Sequence, residues 1–351
     1  MAIRIPRPLV AGDVVALTAP SSGVRAPLHP RLDRAIEALR SRGLRVVEGA
    51  TLRQQAQGQS APARERAEEL MDFLLDPTVA AVLPPWGGER ALEVLRHLDA
   101  RALAAATPKW LSGFSDVSTL QVAMLTRFGW GSLHGPNLME LGAATLDATT
   151  ARMFDVLFAG RATADAPLVQ SSAPRHRRVG AGNDWAGNPA EDLVADTPVR
   201  WRRLDGSDAP LTLRGRLVGG CLDTLARLAG TPWGDVPGFV RAAAGDGALL
   251  FLENAEMPPF ELVRALTGLR LAGWLDGLSG VLVGRNAGPA NPNPASGFAD
   301  VDACAAALGD LPCPVLLDLD IGHLPPQLSL VQGAMAEVTF ADGAGRVAQW
   351  W

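Results

Sequence analysis

An α/β fold built on a parallel sheet is what this sequence predicts. Between Gly12 and Trp130, short apolar runs of strand length alternate with stretches whose apolar residues recur at helical spacing. Most of the runs end in glycine, proline, serine or asparagine, the residues that turn a chain. Strand–helix alternation of this kind calls for parallel strands with helices packed on both faces. At 351 residues the chain also exceeds the ~250–300 over which one core keeps growing, so a second domain is expected.

The elements follow in order. Asp13–Thr18 is a compact apolar strand that ends in Ala19-Pro20-Ser21-Ser22-Gly23. Arg31–Arg42 sets Leu32, Ala35, Ile36 and Leu39 on one helical face and stops at Gly43. Leu44–Val47 reads as a strand, Ala63–Leu75 as a helix, Val79–Leu83 as a strand and Glu89–Leu98 as a helix. Lys109–Phe114 is a strand, Val117–Phe128 a helix, and Ser132–His134 a short closing run. From Ala162 to Pro198 periodicity fades into small and polar residues, as in a linker or surface loop. Pattern returns with a strand over Leu211–Val218 and a helix over Leu222–Leu228, then strands over Ala248–Leu252, Gly280–Val283 and Pro314–Leu317. The expected division is an α/β domain over 1–150, a linker over 151–200 and a second domain over 201–351.

Composition narrows the class of function. Nearly half the residues are apolar and the net charge is −5, which suits a soluble protein with large cores and offers nothing to nucleic acid or a membrane surface. No window reaches ~20 apolar residues, and MAIRIPRPLVAGDVVAL lacks the features of a signal peptide. Cys221, Cys304 and Cys313 have neither metal-site spacing nor an even count. The expected location is therefore the reducing cytoplasm. Arg175, Arg177 and Arg178 around His176 read as a solvated loop rather than a phosphate site.

In parallel α/β sheets, ligands sit beyond the carboxyl ends of the strands, which singles out the loops Ala19–Gly23, Pro84–Glu89 and Gly113–Ser118. The last lies in KWLSGFSDVSTL, where Ser115 falls at the apex of a strand-to-helix turn that Gly113 permits. Such a turn lifts a serine hydroxyl out of the sheet and aims backbone N–H groups at the same space. Taken alone, the window favours a capped helix start, because the second glycine of G-x-S-x-G is replaced by Val117 and serine and aspartate are common caps. Ser118 fits a local cap.

A serine nucleophile needs a base, and the chain has five histidines. His323 is the leading candidate, since Gly322 before it allows close approach of the backbone; His134 could line a cleft. Glu253 closes the apolar strand ALLFLE, where a sheet presents a carboxylate to a cleft, though it could equally be the first exposed residue after a strand. No metal motif or phosphate-binding glycine loop is present, so neither a metal nor a nucleotide cofactor is expected.

Several separated stretches together resemble the LD-carboxypeptidase and microcin C immunity family of serine peptidases. They are GDVVALTAPSS, DPTVAAVLPPWGGERALEVL, PKWLSGFSDVSTL, LHGPN, RLVGGCLDTLARLAGTPW, GALLFLENAEMPP and PVLLDLDIGHLPPQLSLVQGA, all in the family's order. That resemblance implies a flavodoxin-like N-terminal domain with a parallel sheet, a smaller β-rich C-terminal domain, and an active site at their interface. By the same resemblance Ser115 is the nucleophile, Glu253 the orienting carboxylate and His323 the general base, with the backbone N–H groups of Gly88 and Asp116 as oxyanion hole. Asp116 would then matter for its amide more than for its carboxylate. Homodimers are usual in the family.

Two departures bear on substrate. Trp86 and Glu89 flank the glycine pair where LD-carboxypeptidases resemble one another in carrying arginine and tyrosine, and Cys221 stands where many members have asparagine. Both features look closer to the microcin-immunity branch, in which an aromatic residue of the interdomain loop can contact an acyl-nucleotide; by that resemblance Trp185 is the counterpart here, and a plain packing role for it stands as the alternative. The expected activity is hydrolysis of an amide bond in a small peptide or an aminoacyl- or peptidyl-nucleotide. The alternatives are release of terminal D-Ala from cell-wall tetrapeptides, and a non-catalytic binding protein on the same fold.

Overall fold

The computed structural model describes residues 2–160 and 162–351. Its first half runs β1 (Val14–Leu17), α1 (His29–Arg40), β2 (Arg45–Glu48), α2 (Ala63–Leu75), β3 (Val79–Leu83), α3 (Ala100–Ala105), β4 (Trp110–Gly113), α4 (Val117–Phe128), β5 (Leu133–His134) and α5 (Ala148–Phe158). β1 and β4 are buried throughout, as apolar strands covered on both faces must be. The five strands lie parallel in the order β2-β1-β3-β4-β5. Because the chain leaves β1 for β2 on one side and then returns to β3 on the other, the loops after β1 and β3 part and open a crevice. The stretch expected as a helix over 89–98 is a 3-10 helix, Ala91–His97, whose buried Ala91 and Val94 are spaced as well for three residues per turn as for 3.6.

The remaining elements are β6 (Leu168–Ser171), β7 (Arg175–His176), β8 (Thr197–Pro198), β9 (Arg202–Arg203), β10 (Leu211–Cys221), α6 (Leu222–Leu225), α7 (Val236–Ala242), β11 (Ala248–Glu253), α8 (Pro259–Leu271), β12 (Gly280–Gly284), α9 (Asp300–Leu308), β13 (Val315–Leu319), β14 (Leu330–Val331), β15 (Met335–Ala341) and β16 (Ala344–Trp350). A second, eight-stranded sheet has the order β6-β16-β15-β10-β11-β12-β13-β9. Its centre, β10 to β13, is parallel, so Cys221 and Glu253 end adjacent strands in register. The stretch read as a linker is partly ordered, since β6 pairs with β16 and β7 with β8. No helix among the described residues is long and apolar enough to cross a membrane.

Two devices join the halves. β14, from the C-terminal part of the chain, pairs antiparallel with β5 and becomes the last strand of the first sheet. It lies seven residues beyond His323, so the loop carrying that histidine is drawn across to the first sheet. Gln332 beside it exchanges hydrogen bonds with the Gly219 backbone, at 3.2 Å to its N–H and 2.5 Å to its carbonyl. The second device is Ser118. Buried on α4, its Oγ accepts the Cys221 N–H at 3.1 Å, so it ties the helix to the end of β10 instead of capping its own helix. A helix-start hydroxyl and a buried interface partner carry the same local sequence signal, and only the neighbouring strand distinguishes them.

Candidate active site

Ser115 occupies the turn between β4 and α4 with φ of 64°, a left-handed conformation that costs a non-glycine residue about 1–2 kcal/mol. The strained turn is held by its surroundings. Asn137 Oδ1 accepts the Phe114 N–H at 3.1 Å, and the Gly135 N–H bonds to the Gly113 carbonyl at 3.3 Å. The loop after β3 runs directly against it. A Cβ at Gly87 would stand 2.7 Å from Ser115 Oγ and 2.6 Å from the Asp116 nitrogen, so only glycine lets this loop pass without covering the hydroxyl. Among the described residues, the N–H groups of Gly88 and Asp116 have no acceptor within the protein.

From the second sheet, Glu253 ends β11 and His323 follows β13. His323 Nδ1 lies 2.8 Å from Glu253 Oε2, and its Nε2 lies 3.0 Å from Ser115 Oγ. A carboxylate only accepts, so Nδ1 carries the proton and Nε2 is left to accept from the serine hydroxyl. The Phe114 ring meets the imidazole edge-on at 4.8 Å. Behind it, a buried ion pair braces the loop. Arg285 Nη1 bonds to Asp320 Oδ1 at 2.8 Å while its Nη2 holds the carbonyls of Leu324 and Pro326, both at 2.6 Å. Asp320 also accepts from Trp201 Nε1 at 2.7 Å.

The loops singled out in the sequence meet around a cleft of about 700 Å³ that contains Ser115 and His323. Ser22, Trp86, Glu89, Arg177, Trp185 and Glu256 line it. Its sequence is recognisable. Residues 15–135 match the model for the LD-carboxypeptidase N-terminal domain and residues 214–338 that for the LD-carboxypeptidase C-terminal domain. The chain belongs to the LD-carboxypeptidase family.

A relative from Streptomyces coelicolor, provisionally named a carboxypeptidase, is 32% identical, with 96% of this chain and 94% of that protein covered. The murein tetrapeptide carboxypeptidase of Pseudomonas aeruginosa is 29% identical over 72% of this chain and 69% of its own. The microcin C7 self-immunity protein of Escherichia coli is 23% identical over 95% and 92%. A structure of the microcin C7 immunity protein with glutamyl sulfamoyl guanosine superimposes with a TM-score of 0.80 at 20% identity, covering 99% of this chain and 98% of that one.

Within this LD-carboxypeptidase fold, electrostatics single out the His323–Glu253 pair. Burial opposes a charge on the imidazole, but the Glu253 charge and hydrogen bond outweigh it and lift His323 above the ordinary histidine value. Burial likewise pushes Glu253 up, and attraction and hydrogen bonding from His323 turn the balance, leaving its carboxyl below the usual range. Glu253 is buried and its second oxygen, Oε1, has no hydrogen-bond partner. Cys221, Glu253 and His323 bring potential metal-ligand atoms within 4.8 Å of one another. Burial raises the Cys221 thiol well above its ordinary value, which favours the neutral thiol.

Other sequence expectations meet the structure unevenly. Trp86 and Trp185 both face the cleft; the Trp86 indole donates to the Ser22 carbonyl at 3.0 Å, and Trp185 lies over the Arg31 guanidinium at 4.7 Å. His134 does not line the cleft: it is fully buried, between the rings of Phe114 and Phe251, and burial drives its pKa down to about 4. Arg177 is not merely solvated but reaches the cleft wall. The Asp116 carboxylate is as engaged as its amide is open. It accepts from Ser21 Oγ at 2.6 Å and from the Ala91 N–H at 2.7 Å. No signal within the Asp116 window points to Ser21 or Ala91 as partners, because one lies in the loop after β1 and the other opens the 3-10 helix after the glycine pair.

Proposed function

We propose that this chain is a serine peptidase or amidase that hydrolyses an amide bond in a small peptide or an aminoacyl- or peptidyl-nucleotide through an acyl-enzyme on Ser115. The observation that carries the reading is the relay of Ser115 Oγ, His323 Nε2 at 3.0 Å, and Glu253 at 2.8 Å from the far side of the imidazole. In this scheme Ser115 Oγ attacks the amide carbonyl as Nε2 takes its proton. Negative charge gathers on the carbonyl oxygen, where the N–H groups of Gly88 and Asp116 receive it. Collapse of the tetrahedral intermediate breaks the C–N bond, and His323 returns the proton to the leaving amine. Water, deprotonated by the same nitrogen, then releases the acid and frees Ser115. Glu253 holds the imidazole tautomer and stabilises its positive form.

On the substrate side, the reading draws support from the two indoles and Arg177 in the cleft, which suit a flat aromatic group and an anionic link. A relative of the same fold is seen with glutamyl sulfamoyl guanosine, a compound of that description. Cell-wall tetrapeptides are the second reading, favoured by the murein tetrapeptide carboxypeptidase among the relatives. The deciding experiment pairs a meso-diaminopimelate tetrapeptide with an aminoacyl sulfamoyl-adenosine and follows product release. Ser115→Ala should lower turnover of the accepted substrate by at least about 10³-fold with the fold intact. Full activity in that variant ends the proposal.

A further inference from the structure

The Asp116 side chain has no step in the chemistry proposed above, yet it is buried beside the nucleophile and faces hydrogen-bonding groups on four separate segments. Oδ2 takes the Ser21 hydroxyl, in the loop after β1, at 2.6 Å and the Ala91 N–H, after the glycine pair, at 2.7 Å. Oδ1 lies 3.3 Å from Thr119 Oγ1 of α4 and 3.2 Å from Thr224 Oγ1 of α6, across the interface; the two hydroxyls also bond to each other, so one donates to the carboxylate while the other donates to its neighbour. Ser21 Oγ in turn accepts the Arg90 N–H at 3.0 Å. The start of the same loop is fixed by the Ser22 N–H on the Gly87 carbonyl at 3.2 Å. Residues 87–91 are thus pinned at both ends, and one of the pins is the side chain of the residue whose own N–H stands beside Gly87.

We propose that the Asp116 carboxylate is a positioning residue for the oxyanion hole. It sets the distance between its own backbone N–H and that of Gly88 by holding the glycine-pair loop through Ala91, Ser21 and Arg90. The inference rests on the reading of Ser115 as nucleophile. Chemistry explains the residue type: the Ser21 hydroxyl, the Ala91 N–H and one of the paired threonine hydroxyls converge and need an acceptor with two oxygens, and a hydrocarbon in its place would leave the buried Ala91 N–H without a partner. Donors aimed at a developing oxyanion act on the transition state and hardly on bound substrate, so the effect belongs in kcat.

The test compares Asp116→Ala, Asp116→Asn and Ser21→Ala by steady-state kinetics and by amide hydrogen exchange of residues 87–93. Asp116→Ala should lower kcat about 10²-fold with KM within about threefold, and should speed exchange of 87–93 while the strands of the first sheet keep their protection. Asparagine can present its oxygen to Ala91 and Ser21 and its NH2 to the two threonine hydroxyls, which can rotate to accept. Asp116→Asn should therefore recover kcat to within about tenfold of wild type, together with loop protection. Ser21→Ala should lower kcat about tenfold and loosen the same segment. An unchanged kcat, a loss confined to KM, or an asparagine variant as slow as the alanine one overturns the proposal. Should Asp116→Ala fail to fold, Ser21→Ala decides by the same split. Should Ser115→Ala retain full activity, the hydrolytic reading has failed; unchanged exchange of 87–93 in Asp116→Ala and Ser21→Ala then overturns the loop-holding claim on its own.

Discussion

Replacing Glu253 with glutamine separates what the carboxylate does for catalysis from what it does for folding. In the acylation step proposed above His323 takes on a positive charge in the transition state, and the Glu253 oxygen lies 2.8 Å from Nδ1. With charge centres about 4 Å apart and an effective dielectric near 20, that attraction is worth about 4 kcal/mol, or roughly 10³ in rate. Glutamine also allows its NH2 to face Nδ1, which selects the wrong tautomer, so the expected loss in kcat/KM is about 10³–10⁴-fold. Stability should respond far less. Glu253 is fully buried and one of its oxygens has no partner, so neutralising it relieves a desolvation cost that offsets the weakened bond, and ΔG of unfolding should move by less than about 2 kcal/mol.

The pH profile supplies a second readout. With His323 as the proposed general base, only its neutral form accepts a proton, and Glu253 lifts its pKa above the ordinary value of 6.5, so wild-type activity should rise with pH through an apparent pKa above 6.5. In Glu253→Gln the residual activity should switch on at lower pH. The measurements are kcat/KM from pH 5 to 9 on the substrate that the wild type accepts, and urea unfolding at pH 8. A variant within tenfold of wild type, with its acid limb unmoved, would refute the assignment of Glu253 as the orienting carboxylate.

Two further predictions concern the surroundings of the site. Gly322 has φ of +95°, and a Cβ there would stand 2.4 Å from Glu253 Oε2. Gly322→Ala should therefore cost about 2 kcal/mol in unfolding free energy and about 10²-fold in kcat by displacing the carboxylate, and near-wild-type values of both would remove that role. His134 concerns acid stability instead. Its folded pKa of about 4 lies below the ordinary 6.5, so the unfolded chain binds more protons between those values and stability falls as pH drops across that window. The contribution is on the order of 3 kcal/mol, and it is complete below about pH 4. His134→Leu, of similar volume, should show a shallower decline from pH 6.5 to 4 in urea titrations; parallel declines in the two proteins would contradict the assignment.

Much of the first half was legible because its cues are local. Ala63–Leu75, Val79–Leu83 and Val117–Phe128 have the same limits by apolar periodicity as in the structure, since each element buries one face or both and its sequence must repeat accordingly. Elsewhere the cue is weak. α9, Asp300–Leu308, is rich in alanine and carries little contrast between its faces, and Gly268 weakens the helical signal of α8, which is nevertheless continuous. The hairpin of β15 and β16 does carry a readable signal in Asp342-Gly343 between alternating runs.

The sequence by itself determined the alternation of strands and helices, the turn that Gly113 permits with Ser115 at its apex, and the placement of Glu253 at the end of one apolar strand and Gly322-His323 just past another. Family resemblance, also a property of sequence, linked those three. Only the tertiary structure brought Ser115 and His323, 208 positions apart, to 3.0 Å. It did so by passing β14 across to the first sheet and by burying Ser118 under Cys221, pairings between segments that share no local pattern. The same holds for Asp116, whose partners come from the loop after β1, the start of the 3-10 helix at Ala91, and the paired threonines of α4 and α6 across the interface. Periodicity reports which face of an element is buried; it does not report which distant polar group will be waiting there, because a hydrogen bond between loops is set by where the sheets place them.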